Sequence, residues 1–253
     1  MVAAINILAA QAAAGNSFLA DIRNQFNQSF VLQNRWLSYL NGLKISLILT
    51  IAALAIGIAI GIIVAIVRTS YAQKKKGHRN PGLAIANFIC WIYITVIRGT
   101  PMMVQLLIWG LVIFASSRNL VGIAILALGV NSGAYVAEII RGGIMSIDVG
   151  QMEAGRSLGM SYGTVMKDII IPQAIKNILP ALGNELITLF KDTSLVTVIG
   201  LVDLTKAAMQ IQAKTYQGLM PFIGIAITYL VIVLILTKLL DIFERRLRRS
   251  DRR

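Results

Sequence analysis

From Ile45 to Val67 the chain runs without a single charged residue. About 20 apolar residues in a helix cross the ~30 Å hydrocarbon core of a bilayer. Inside that core each backbone amide must find its partner within the segment. Four further segments have the length to do the same. Leu83 to Ser117 is broken by Arg98 and carries Pro101, and Leu120 to Ile140 contains only Glu138. Ile178 to Val202 holds Glu185, Lys191 and Asp192, and Leu219 to Thr237 is again uncharged. The expected fold class is an all-α membrane protein with five transmembrane helices. Composition agrees: 57% of residues are hydrophobic and 14% charged, against about 25% charged in soluble domains.

The formal net charge is +13, which alone could suggest nucleic acid. The positive residues instead sit beside apolar spans and are not interleaved with aromatics, so anionic lipid headgroups are the expected neighbours and nucleic acid is not. Cys90, the single cysteine, lies in an apolar run and cannot form an intrachain disulfide. No secretory signal peptide is evident, because the first basic residue is Arg23. Val2 to Ala14 is Ala-rich but short, and reads as disordered or interfacial. Phe18, Ile22, Phe26 and Phe30 recur every fourth residue, which predicts a helix lying on the membrane surface rather than a sixth span.

Basic residues set the orientation. Sixteen fall on one side: Arg68, Lys74, Lys75, Lys76 and Arg79; Arg141, Arg156, Lys167 and Lys176; then Lys238, Arg245, Arg246, Arg248, Arg249, Arg252 and Arg253. Six fall on the other: Arg23, Arg35, Lys44, Arg118, Lys206 and Lys214. The N-terminus is expected outside and the C-terminus inside. The chain then divides into an external segment with an interfacial helix (1–42), a transmembrane domain (43–240) and a basic cytoplasmic tail (241–253). The polar loop 141–176 faces the cytoplasm.

That loop is unusually organised. Asp148 can cap a short helix through Glu153 to Leu158, and Gly159 suits the left-handed residue that closes one. Ser161 can cap a second helix, which Pro172 is expected to end. Two short helices meeting at a glycine form a compact knob, suited to docking a soluble partner and passing its push on to the spans as rigid-body tilting.

Glu153-Ala154-Gly155, Gly159, and Ile169 with Ile171-Pro172 resemble the loop motif of the membrane subunits of ATP-binding-cassette importers. That motif reads E-A-A, three residues, G, nine residues, I-x-L-P. Here Gly155 replaces the second alanine, which would loosen the first helix, and Ile171 replaces leucine. Tyr93-Ile94 with Arg98-Gly99-Thr100-Pro101 extends the likeness, as do Asn131-Ser132-Gly133-Ala134-Tyr135 and Ile178-Leu179-Pro180 with Gly183-Asn184-Glu185. With Lys191-Asp192-Thr193-Ser194-Leu195, these resemble the branch that takes up polar amino acids. The likeness covers about Leu40 to Arg249.

The resemblance implies a type I importer permease subunit in the cytoplasmic (inner) membrane of a prokaryote. It would pair with a second permease subunit, identical or homologous, and receive a polar amino acid from an extracytoplasmic binding protein. Separate ATPase subunits would dock on Glu153, Ala154, Gly155, Ser157 and Gly159. The chain itself would bind no cofactor or metal; ATP and Mg would sit on the ATPase partners. In agreement, no G-x-x-x-x-G-K-[ST] run occurs in the sequence.

Arg98, Glu185, Lys191 and Asp192 would together cost roughly 12 kcal/mol if they faced lipid. They are therefore expected to face one another, a partner or a wet cavity. At 1.5 Å per residue, Arg98 lies about 24 Å from the inner interface and Asn131 about 16 Å from the outer one. Glu185, Thr188 and Asp192 share a helix face. A central cavity would suit a zwitterion, with Arg98 for a carboxylate, Asp192 for an ammonium, and Asn131 and Ser132 for neutral hydrogen bonds. The resemblance likewise places Asn131, Ser132 and Asp192 at a substrate pocket. Glu185 and Lys191 are further candidates, although Arg98–Glu185 or Lys191–Asp192 pairing could be purely structural. Pro101 and Pro180 are expected to kink their spans, as hinges or as packing bends. Gly57 and Gly61 form a G-x-x-x-G pattern that suits packing within the chain as well as a dimer contact.

Two other functions compete. An ATP-independent secondary transporter or channel usually shows internal repeats, which are not apparent here. A membrane enzyme would need a catalytic constellation, yet the one histidine and the one cysteine are far apart and no H-E-x-x-H or Ser-based motif appears.

Overall fold

A computed structural model of the chain describes residues 18, 20–73 and 80–249, with side chains to residue 247. Val2 to Ala14, the basic run 74–79 with His78, and the end of the basic tail lie outside the described residues. Every regular element among those described is helical. The long helices are α1 (Trp36–Gln73), α2 (Pro81–Gly99), α4 (Leu120–Met145), α7 (Ile171–Asp192) and α9 (Leu219–Arg249). Shorter ones are α3 (Met102–Leu107), α5 (Val149–Ser157), α6 (Tyr162–Val165) and α8 (Leu204–Thr215).

Among the described residues four helices are long and apolar enough to cross a membrane: α1, α2, α4, and α9 as far as Leu247. At 1.5 Å per residue α1 is about 57 Å long, nearly twice the hydrocarbon core. The expected span Ile178 to Val202 appears as α7, continued by a 3-10 helix Thr193–Ile199. Its composition sets it apart, because Lys176, Asn184, Glu185, Lys191 and Asp192 give it a polar side. An amphipathic helix of that kind belongs against protein or water rather than fully in lipid.

The chain forms two compact units, Met1–Ile45 with Val202–Val231 and Ser46–Leu201 with Ile232–Arg253. In the first, α8 is capped by the fully buried Asp203, which accepts from the amides of Thr205 and Lys206 at 2.9 Å. Tyr39, Leu204, Ala208, Ile211 and Ile225 make its core. The expected aromatic stripe does not run unbroken along one helix. Helix covers 20–26, then a π-helix Asn27–Val31 turns Phe30 to stack on Tyr39 at 5.2 Å between ring centroids. Phe18 and Phe26 stay exposed.

In the second unit α4 is the central helix, and small residues let its neighbours come close. A Cβ on Gly57 would lie 2.8 Å from Ser132 Oγ, and one on Gly61 2.8 Å from Val136 Cβ. From the other side, a Cβ on Gly129 would lie 2.9 Å from Ile56 Cβ, and one on Gly133 2.9 Å from Ile60 Cγ2. Two facing G-x-x-x-G stripes therefore pack α1 on α4 within the chain, which settles the alternative left open by the sequence.

The two prolines behave differently. At Pro101 the helix breaks outright: α2 ends at Gly99, and Thr100 and Pro101 are extended. Pro180 stays inside α7. Pro172 does not end the second loop helix as expected. It is the second residue of α7, directly after a π-helical stretch, the kind of irregularity at which a continuing helix accommodates a proline. A π-helix, Met166–Ile170, joins α6 to α7 without a break.

Candidate functional site

The break at Pro101 leaves the last carbonyls of α2 without helical donors. Gln105, buried on α3, supplies one. Its Nε2 donates to the carbonyls of Ile97 at 2.8 Å and Thr100 at 3.2 Å, and approaches Thr100 Oγ1 at 2.9 Å. Its Oε1 accepts from Asn131 Nδ2 at 3.0 Å. One side chain thus closes the broken helix and ties it to the middle of α4. Ser132, the next residue on α4, is fully buried and donates to Glu185 Oε1 at 2.8 Å, tying α4 to α7.

Between these elements lies a cavity of about 150 Å³, lined by Thr100, Met102, Asn131, Tyr135, Glu185, Thr188 and Asp192. At about 30 Å³ per water it has room for some five waters or a small polar solute. Asn131, Glu185 and Asp192 reach it, and Ser132 bonds one of its carboxylates. Among the described residues its lining holds two carboxylates and no basic residue. Two carboxyls facing one small cleft cannot both ionise without mutual repulsion, which an entering cation would relieve.

Arg98 and Lys191 are not part of this lining. Lys191 is exposed. The Arg98 guanidinium lies over the Tyr135 ring, 5.1 Å from its centroid, and 4.0 Å from Glu138 Oε2. Glu138 also takes a 2.8 Å bond from Arg141 Nη2. The expected structural partner Glu185 is not the one Arg98 meets. The reason is geometric. Ile94 packs beside Ala137, which puts Glu138 within reach of the long Arg98 side chain, while Tyr93 Oη bonds Val130 O at 2.6 Å.

Sequence reasoning missed Gln105, Tyr135 and Glu138 as partners of the site. Gln105 did leave a signal: it is the one strongly polar side chain in the run Met102 to Phe114.

The loop forms a second candidate surface. Asp148 caps α5 by accepting from the Gly150 amide at 2.6 Å, and Gly159 has the left-handed φ of +80°. Ser161 caps α6 by accepting from the Thr164 amide at 3.2 Å. Glu153, Ala154, Ser157 and Gly159 are exposed. Gly155 is buried and faces inward, where a Cβ would stand 2.6 Å from Val165 Cγ2. There it lets α5 pack closely on α6. Leu158 and Val149 project from the knob at 82% and 70% exposure. Beneath lies a cavity of about 740 Å³ lined by Met145, Met152, Tyr162 and Met166 among others. Tyr162 donates to Gln73, and burial pushes its hydroxyl pKa up.

Residues 57–249 match the family model described as binding-protein-dependent transport system inner membrane component. The chain is 42% identical over 219 residues to the arginine transport system permease protein ArtQ of Bacillus subtilis (strain 168), covering 84% of this chain and 93% of that one. It is 36% identical over 213 residues to the glutamine transport system permease protein GlnP of Escherichia coli (strain K12), covering 83% and 92%. Among solved structures, an amino acid ABC transporter with histidines superposes with a TM-score of 0.74 at 44% identity, over 83% of this chain and 94% of that one. The MetNI methionine ABC transporter, inward facing, gives 0.71 at 18% identity over 85% and 98%, a likeness of fold alone. A helical bundle with a polar cavity and a capped loop knob, matched over most of its length by permease proteins, is a translocation subunit rather than an enzyme: the chain belongs to the family of binding-protein-dependent transport system inner membrane components.

Proposed function

We propose that this permease subunit carries polar amino acids inward across the cytoplasmic membrane of a prokaryote by alternating access. The observation that carries the reading is the cavity where Asn131, Glu185, Thr188 and Asp192 converge inside an otherwise apolar bundle. Two carboxylates without a basic residue in the lining favour a cationic amino acid, and the 42% identity to an arginine permease points the same way. Asn131, Ser132, Glu185 and Asp192 are the proposed substrate residues. Arg98, held by Glu138 and Tyr135, and Lys191 would act at the cavity's border or only in packing.

In this reading α1, α2 with α3, α4, α7 with its 3-10 extension, and α9 are five spans. The N-terminus lies outside and the C-terminus inside, as the basic residues require. Five helices leave an open side, so a second permease subunit completes the pathway with two-fold or pseudo-two-fold symmetry. An extracytoplasmic binding protein delivers the solute. ATPase subunits, holding ATP and Mg, dock on Glu153, Ala154, Ser157 and Gly159, with Gly155 bracing these from behind. The loop 141–176, the external segment 1–42, the permease domain 43–240 and the tail 241–253 keep the roles expected of them. Because α6 runs into α7 without a break, a push on the knob reaches the helix that bears Glu185 and Asp192. Membership of a binding-protein-dependent family supports this reading over an ATP-independent carrier.

The test is uptake of radiolabelled L-arginine by proteoliposomes holding the full transporter. Uptake should need ATP and stop with orthovanadate. Asp192→Ala should abolish it while leaving assembly with the ATPase intact. Uptake that persists under vanadate removes the ATP-driven reading, and normal uptake by D192A removes Asp192 from the site.

A further inference from the structure

An amide side chain has a donor end and an acceptor end, and its surroundings decide which way each points. One end of Gln105 faces two backbone carbonyls, those of Ile97 and Thr100. Carbonyls only accept, so that end must be the NH2. The other end is then Oε1, and whatever meets it must donate. What meets it is Asn131, at 3.0 Å. The Asn131 NH2 is thereby turned to Gln105, and the end turned away is the acceptor Oδ1. The chain of constraint begins at Pro101, whose break opened the carbonyls, and ends in the cavity.

The hydroxyls nearby carry the same sign. Thr100 Oγ1 donates to the Val96 carbonyl at 2.8 Å, and Thr188 Oγ1 to the Asn184 carbonyl at 3.1 Å. Ser132 spends its proton on Glu185. Each keeps only lone pairs for a solute. With the carboxylates of Glu185 and Asp192, the polar lining accepts hydrogen bonds nearly throughout, Tyr135 being the exception. A surface of acceptors suits an ammonium or guanidinium, which only donate, and suits a neutral amide poorly.

We propose that Gln105 is a specificity-determining positioning residue. By fixing the orientation of Asn131 it keeps the cavity an acceptor surface and selects cationic over neutral amino acids, without touching the substrate itself. The proposal rests on the cavity being the substrate site.

The test is calorimetric titration of the complete transporter in lipid nanodiscs with L-arginine and L-glutamine, together with its melting temperature. Gln105→Met frees the Asn131 amide to rotate. Arginine affinity should fall at least about tenfold, the worth of one hydrogen bond to a charged group, while glutamine affinity holds or rises. Gln105→Glu keeps an acceptor for Asn131 and should keep the arginine-to-glutamine ratio, while melting falls because a carbonyl at the break loses its donor. If Q105M lowers melting but leaves the ratio within twofold, Gln105 merely closes the helix break and the proposal is wrong. Should Q105M not assemble, Gln105→Asn, one methylene too short to close the break and still meet Asn131, decides on the same criterion: an arginine-to-glutamine ratio that falls at least about tenfold carries the proposal, and one within twofold overturns it. Binding of neither amino acid by the unsubstituted complex would count against the proposed cargo instead.

Discussion

Replacing Gly155 by alanine adds one methyl group at the tightest contact of the loop knob. Built on the backbone, its Cβ stands 2.6 Å from Val165 Cγ2 and 3.2 Å from Cγ1, but 3.5 Å from Val165 Cβ. Ordinary carbon contacts begin at about 3.5 Å. The methyl therefore cannot enter unless α5 and α6 separate by close to an ångström or Val165 leaves its place. Val165 is fully buried, so it has nowhere to go. Overpacking of this kind costs about 1–3 kcal/mol. Val165→Ala alone loses buried methyls and leaves a cavity, at about 2 kcal/mol. The two changes are complementary: with both γ-carbons gone, the new Cβ meets only Val165 Cβ at an ordinary distance. The double variant should therefore recover at least about 1 kcal/mol relative to the sum of the single ones. The assay is a double-mutant cycle on the assembled transporter, read as melting temperature and as substrate-stimulated ATP hydrolysis. G155A should depress both, and adding V165A should restore coupling. Strictly additive losses, or a G155A variant indistinguishable from the parent, would refute the packing argument.

Two further outcomes follow from the same geometry. Glu138→Gln removes the counter-charge that Arg98 and Arg141 share. It should lower stability by about 2 kcal/mol in chemical unfolding while leaving the arginine-to-glutamine preference unchanged; a changed preference would return Arg98 to the substrate site. Leu158→Asp puts a charge on the most exposed apolar side chain of the knob. Melting of the isolated subunit should not move, while binding to the ATPase, followed by co-purification, should fall at least tenfold; undiminished co-purification would place the docking surface elsewhere.

The cavity and the knob share one continuous helical run. Pro172 in the first turn of α7 and the π-helix before it let the second loop helix continue into the helix that carries Glu185 and Asp192. Gly155 locks the first loop helix onto the second. A rigid knob transmits displacement, whereas a flexible one would absorb it.

What the sequence determined by itself is whatever depends on a residue and its near neighbours in the chain. Apolar runs such as Ile45 to Val67 require helices because a bilayer offers no other partner for the backbone. Asp148, Gly159 and Ser161 declared their caps because capping reaches only two or three residues along the chain. Asn131, Glu185 and Asp192 stood out because polar groups in apolar runs need company. Which company they found was decided by tertiary structure. The packing of α2 beside α4 took Arg98 to Glu138, and the outright break at Pro101 brought Gln105 onto Asn131. Close packing turned Gly155 inward. Crossing angles and helix breaks sum small contributions from many side chains on several helices, and no local pattern in one segment records that sum.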